Sequence, residues 1–405
     1  MEAANLPSSC VARRALNVDI LGYDTNVAGT AYDLAVIGAG VFGAWTAYQF
    51  SRAGARVLLL DQHGPGNARS SSGGETRIIR MSYGADEIYT RSSTQSLKRW
   101  KEFFAETGLS LFHQTGVLVT STPDDPYLIA TRDTLSRICC RFEWLERDSL
   151  RERFPHIMFE PATTGVYEPE SGVLMARRAV QAVVDAAVRA GTRYENWRAD
   201  APTSSHTLRT TGGNIEADAF VFACGPWLPA LFPKILGNRI RPTRQQVFFF
   251  GAPPGDDRFA PPQTPAWIAF HEGAYAVPSL DGRGFKLAVD RHGPPFDPET
   301  GNREITRAKL AEARFILDKR FPGLAGAPLL EARVCQYENT SNGDFLVDRH
   351  PDFENVWLAG GGSGHGFKHG PFVGEYIAAR IVARTDPEPR FSLTAKKIRR
   401  RRTVY

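Results

Sequence analysis

The chain has 405 residues, 42% of them apolar and 23% charged, with a formal net charge of +5. That balance is ordinary for a globular enzyme, and the length carries two or three structural units whose cores need no staples. Five cysteines (Cys10, Cys139, Cys140, Cys224 and Cys335) show neither metal-ligand spacing nor a disulfide framework, which fits a reducing compartment and predicts no metal.

Residues 1–30 contain Arg13 and Arg14 but no continuous apolar core with a cleavage site, and they read as a loose extension outside the fold. The first periodic signal is Tyr32–Gly43, an apolar strand that ends in glycines and becomes the helical pattern Ala44–Ala53, closed by Gly54. Arg56–Asp61 follows as a fully buried strand. The pattern then predicts a helix over 85–105, a strand of a second sheet over 113–121, a helix over 179–190 and an apolar strand over 217–225. Residues 241–290 are strand-rich, with Gln246–Phe250, Ala266–Phe270 and Phe285–Val289, and 303–320 reads as helix. Asn355–Lys368 is a strand running into a glycine-rich loop, before a helix from about Gly374 to Arg384. The stretch Ala219–Gly237 is broken by Pro226, Pro229 and Pro233, so it predicts no membrane span, and a cytoplasmic location is the default. The final run, Lys396, Lys397 and Arg399–Arg402, lacks interleaved aromatics and reads as a solvated tail rather than a nucleic-acid or lipid contact.

Gly38, Gly40 and Gly43, with Val41 and Phe42 between them, form a Gly-x-Gly-x-x-Gly turn, and Asp61 closes the next strand. This is the full context of a dinucleotide fingerprint. The first glycine permits the turn, the second admits a pyrophosphate and the third packs helix on strand. The helix N-terminus attracts the phosphates, and Asp61 accepts from a ribose hydroxyl. Later glycine exits, at Gly225 and at Gly362, Gly364 and Gly366, converge on the same cofactor. The fingerprint alone leaves FAD and NAD open.

Gly74–Arg80 with Ser82-Tyr-Gly84 resembles the loop after the second strand in monomeric sarcosine oxidase, N-methyltryptophan oxidase and their relatives. The likeness runs on through Thr115–Leu118, Glu168–Leu174, Gly284–Leu287, Cys335–Tyr337, Phe345–Asp348 and Gly362–Lys368. The resemblance implies an α/β fold of the D-amino-acid-oxidase type. Its Rossmann-like FAD domain (31–112, 172–240 and 330–388) interleaves with a mixed-sheet substrate domain (113–171 and 241–329), and a basic tail follows (389–405). It implies FAD contacts at Ser72, Thr76, Phe367 and Lys368 and a thioether from Cys335 to the flavin. Lys286 then stands over the ring to help O2 take electrons, with Arg77 steadying charge near it. Arg80 and Lys368 grip a substrate carboxylate, while Tyr275, Tyr337 and His365 line the cavity. Cys224, at a strand exit, reads as core. The chain departs from the family at Ser72-Gly73, Asp290 and Glu338; the last two imply carboxylates beside the substrate, which favour a basic or glycated amino acid.

The reading is therefore an FAD-dependent oxidase of a secondary or N-substituted amino acid, giving an imine and H2O2, with O2 and a small amine as its partners and no nucleic acid or membrane. It is expected to be a monomer. A dehydrogenase using another acceptor and a non-catalytic flavin protein are the alternatives.

Overall fold

The computed structural model describes residues 31–396. The N-terminal extension with Cys10, and the basic residues from Lys397 on, lie outside the described residues. No helix among the described residues is long and apolar enough to cross a membrane.

The strand Tyr32–Ile37 is apolar on both faces because it is central. It pairs in parallel with Val57–Leu60 on one side and Gly213–Phe222 on the other. Val356–Gly360 extends this parallel array beyond Gly213–Phe222, and Arg193–Glu195 extends it beyond Val57–Leu60. Leu346–Arg349 and Thr207–Thr210 add antiparallel partners, making seven strands. The glycine turn lies where Tyr32–Ile37 exits the sheet, and the helix Val41–Arg52 begins there.

Two close approaches fix that turn. Gly38 has φ +105°, and a Cβ on it would lie 2.5 Å from the Ala223 carbonyl oxygen. A Cβ on Gly43 would lie 1.8 Å from the Gly38 carbonyl oxygen, far inside van der Waals contact. Gly43→Ala is therefore expected to destabilise the protein by several kcal/mol, on the order of an overpacked core, and to give protein that purifies without flavin. Thermal melting and the visible spectrum check both effects. The helix Gly370–Val382 packs equally tightly on Val41–Arg52: a Cβ on Gly374 would lie 2.8 Å from the Trp45 carbonyl carbon.

An eight-stranded sheet forms the second layer, in the spatial order Leu329–Thr340, Ile240–Phe250, Phe285–Val289, Ala274–Val277, Ala266–Ala269, Val117–Ser121, Thr164–Glu168 and Glu143–Leu145. The long strand Leu329–Thr340 was expected in the FAD domain. Its pairing with Ile240–Phe250, from Ile240↔Thr340 to Phe250↔Leu329, puts it in this sheet instead. A small third sheet joins Thr76–Ile79, Gly172–Met175 and Phe112–His113.

Two local expectations are corrected. Lys396 is buried, and its ammonium donates to the Arg390 carbonyl, so the basic run does not begin as a solvated tail. A lysine can bury its stem when a backbone acceptor meets the ammonium. Cys139 is disulfide-bonded, against the expectation of reduced thiols, whereas Cys140, Cys224 and Cys335 are free. Spacing in sequence carries no information on such a pairing, which depends on distances in the fold.

Candidate active site

A cavity of about 520 Å³ opens at the ends of the parallel strands, within the range of cofactor and ligand pockets. Gly38, Gly40, Val41, Phe42, Asp61, Ser72, Gly225, Gly362, Gly364, Gly366 and Phe367 all line it. Gly43 does not; it works from behind by letting the helix approach. Gly40 at the N-cap of the helix Val41–Arg52 makes no side-chain cap, and the Val41 N–H donates to Ser72 Oγ at 3.1 Å. Asp61 braces the turn, its two oxygens accepting from the Ala39 and His63 N–H groups at 2.8 Å each. Burial raises the pKa of Asp61, opposed by those same N–H groups. A glycine wall, a helix N-terminus opening on the cavity and a buried acid at the far strand end fit a bound dinucleotide.

The second group of residues stands where the eight-stranded sheet meets the small sheet. The Thr76 carbonyl accepts from both Arg77 Nη1 (2.8 Å) and Lys286 Nζ (3.2 Å). Arg77 Nη2 also reaches the Ser71 carbonyl at 2.6 Å and Cys335 Sγ at 3.7 Å. A Cβ on Gly74 would sit 2.3 Å from Arg77 Nη1, so the glycine makes room for the guanidinium. Lys286 is buried on the strand Phe285–Val289, its Nζ 5.2 Å from the centroid of the Tyr275 ring on the neighbouring strand. Burial, then the charge of Arg77, pulls Lys286 down to about 7. Tyr275 hydrogen-bonds Tyr337, and burial raises its hydroxyl well above the usual phenol range. The Tyr337 hydroxyl in turn donates to Asp290 Oδ1 at 2.5 Å. Asp290 acts electrostatically on both Lys286 and Lys368, so its charge is met by two cations and a phenol.

The two carboxylate-binding candidates meet at one aromatic ring. The Arg80 guanidinium carbon lies 4.5 Å from the Tyr83 ring centroid and 5.4 Å from that of Phe270. Lys368 Nζ donates to Tyr83 Oη at 2.8 Å and to the His365 carbonyl at 3.0 Å. Both cations are buried, and burial followed by the charge of Arg80 holds Lys368 well below the ordinary ammonium range. An incoming anion would relieve that repulsion.

His365 was expected in the cavity wall, but its ring nitrogens face elsewhere. Nε2 lies 3.1 Å from the Gly343 carbonyl and Nδ1 3.1 Å from Tyr83 Oη. Burial, then Lys368, drives His365 and His369 far below the imidazole range, so both are neutral. A carbonyl only accepts, so Nε2 of His365 carries the proton and Nδ1 accepts from the Tyr83 hydroxyl. His369 Nε2–H then donates to Tyr83 Oη at 2.8 Å, and Ser92 donates to His369 Nδ1 at 2.9 Å. This chain fixes the phenol that supports both cations, so His365 positions Tyr83. Sequence reasoning missed His369, which no motif marks.

It also missed the task of Glu168. This buried carboxylate accepts from the Met81 and Ser82 N–H groups at 2.8 Å each, and from the hydroxyls of Ser82 and Ser171. It clamps the turn that follows Arg80. Glu168→Gln replaces one acceptor oxygen by a donor facing donors, with an expected loss of roughly 2–3 kcal/mol in urea unfolding and weaker binding of carboxylate inhibitors. Glu338, expected beside the substrate, lines the dinucleotide cleft instead: its oxygens accept from Ser71 Oγ at 3.1 Å and the Gly362 N–H at 3.2 Å. Tyr337 lines the same cleft and also reaches out of it to Asp290.

Residues 33–380 match the family model described as FAD dependent oxidoreductase. The chain is 32% identical to the monomeric sarcosine oxidase of Bacillus sp. (strain B-0618), over 86% of this chain and 92% of the relative. It is 27% identical to the N-methyl-L-tryptophan oxidase of Salmonella heidelberg (strain SL476), over 91% of this chain and 99% of the relative. Among solved structures, L-proline dehydrogenase from P. horikoshii superposes with a TM-score of 0.81 at 21% identity, covering 92% of this chain and 99% of that one. Such a likeness concerns the fold.

Proposed function

The chain belongs to the FAD dependent oxidoreductase family, as an amine oxidoreductase of the sarcosine oxidase kind, and from that premise we propose an oxidase of N-substituted amino acids that works as a monomer with O2 as acceptor. The observation that carries this reading is the convergence of Arg80 and Lys368 on Tyr83, with Asp290 linking that pair electrostatically to Lys286.

Each residue then has a task. Arg80 and Lys368 grip the substrate carboxylate, and the guanidinium plane suits a two-point contact. Tyr275 and Tyr337 bound the space beside Lys286 and fix the amine's direction. Lys286 and Arg77 place positive charge where electrons leave for oxygen. When bound, the flavin supplies the redox chemistry, removing two electrons and hydrogen from the C–N bond and delivering them to O2 as H2O2. No side chain is assigned as general base, because an amine bound unprotonated needs none. The charge of Asp290 is already met, and Glu338 lies in the other cleft. These two carboxylates therefore give no preference within the class, which keeps sarcosine-like, N-methyl, cyclic and glycated amino acids.

Covalent attachment through Cys335 has electrostatic support. Arg77 approaches the sulfur, and Lys286, Arg303 and Arg333 act on it as charges, a cationic setting that suits a sulfur nucleophile. Acid-precipitated holoenzyme should keep its yellow colour in the pellet. For the activity, anaerobic mixing with a panel of N-methyl, cyclic, basic and glycated amino acids is expected to bleach the flavin band, and admitting air should restore it with one H2O2 per turnover. A panel that leaves the band intact sinks the reading.

A further inference from the structure

We propose that Glu338 is a proton-holding residue of the cofactor cleft, which couples reduction of the bound flavin to uptake of a proton from solvent. This rests on the reading of the cleft as a flavin site.

The geometry comes from three loops. Glu338 leaves the strand Leu329–Thr340 into the wall of the cavity. Ser71 Oγ and the Gly362 N–H hold its two oxygens, and Gly225 closes the third side: a Cβ there would lie 3.0 Å from Oε2. Glu338 is 8% exposed, and the groups that hold it among the described residues are a hydroxyl and a backbone N–H.

The charged groups on the surrounding elements are engaged elsewhere. Arg77, on the Ser71 side, binds the Thr76 and Ser71 carbonyls and approaches Cys335. Asp61 binds the Ala39 and His63 N–H groups. Lys368 and His365, beyond Gly362, bind Tyr83. Glu299 accepts from Trp227 Nε1 beyond Gly225 and lies 3.6 Å from His63 Nε2. On the paired strand, Glu338 faces Pro242; its neighbour Arg241 is exposed, and Arg244 donates to the Glu304 carbonyl. On its own strand, Tyr337 turns to Asp290.

A carboxyl so placed is costly to ionise, and burial pushes Glu338 up to about 7, against the pull of the Gly362 N–H and Ser71. Electrons entering the cleft add negative charge beside it and draw a proton onto the carboxylate. The proton comes from solvent, and it returns there when the electrons leave.

The test is the midpoint potential of the holoenzyme's flavin against pH, in wild type, Glu338→Gln and Glu338→Thr. On the alkaline side of about 7, wild type should show a slope steeper by about 30 mV per pH unit, one added proton per two electrons. Both variants should lack that increment. The oxidised flavin's visible band should also titrate near the same pH in wild type only. Equal slopes in all three proteins overturn the proposal, and so does loss of flavin from both variants, which would make Glu338 a binding residue. A wild-type protein without flavin would instead refute the reading of the cleft.

Discussion

Replacing Lys286 by methionine is expected to slow reoxidation of the flavin by O2 about a hundred- to a thousandfold, the usual cost of removing one group that stabilises developing charge. Reduction by substrate should change far less, because the carboxylate grip lies on other residues. Stopped-flow measurement of the two half-reactions separates the effects. The ammonium lies against the Tyr275 ring face, and it is held by the Thr76 carbonyl and hydroxyl. Its pKa gives a second expectation. Burial and Arg77 bring it to about 7, so the cation is present below that pH and lost above it, and the oxygen step should slow as pH rises. The linkage to stability has a fixed sign. Above about 7 the unfolded chain binds a proton at Lys286 that the native apoprotein does not. Lys286 therefore makes the apoprotein more stable as pH rises from there toward the ordinary lysine range. Lys286→Met should flatten that part of the profile. An unchanged oxygen rate would remove Lys286 from its assigned role.

The second large effect belongs to the clamp. Arg80→Ala and Lys368→Met are each expected to weaken binding of the amino acid about a hundredfold or more, since removing one side of a buried charge contact costs about 2–5 kcal/mol. The double variant should fall short of the sum, because both cations rest on Tyr83 and the loss of one relieves the other. Flavin bleaching at saturating substrate should persist in the single variants, with the loss in KM rather than in kcat. Substrate esters, which carry no anion, should lose their disadvantage against the free acids. Retention of that disadvantage in both single variants would place the carboxylate elsewhere.

How much of this was legible depended on whether a residue's task is local. The glycine turn and Asp61 act within one strand–helix–strand unit, and the alternation of apolar strand and helix marked their places directly. Lys286 was marked by the family resemblance, and its apolar flanks Phe285 and Leu287 agreed with its burial. Glu168 and His369 were not, since their partners lie far away in sequence: Glu168 serves Met81 and Ser82, and His369 serves Tyr83 and Ser92. Gly374 looked like the start of a helix, yet it sits inside one, where it lets Trp45 come close. Glu338 was misplaced for the same kind of reason. Its partners, Ser71 and the Gly362 N–H, come from loops distant in sequence, and nothing in the strand itself marks them.

The Thr76 carbonyl oxygen receives both Arg77 and Lys286, and four residues later the same run of chain delivers Arg80. Thr76–Ile79 is a strand pinned along its length to Gly172–Met175, stiff and only about 13 Å long at roughly 3.3 Å per residue. It is a short tether with Arg80 at one end and the carbonyl that receives Lys286 at the other. One short piece of backbone therefore fixes both where Arg80 starts and where the carbonyl that receives Lys286 stands.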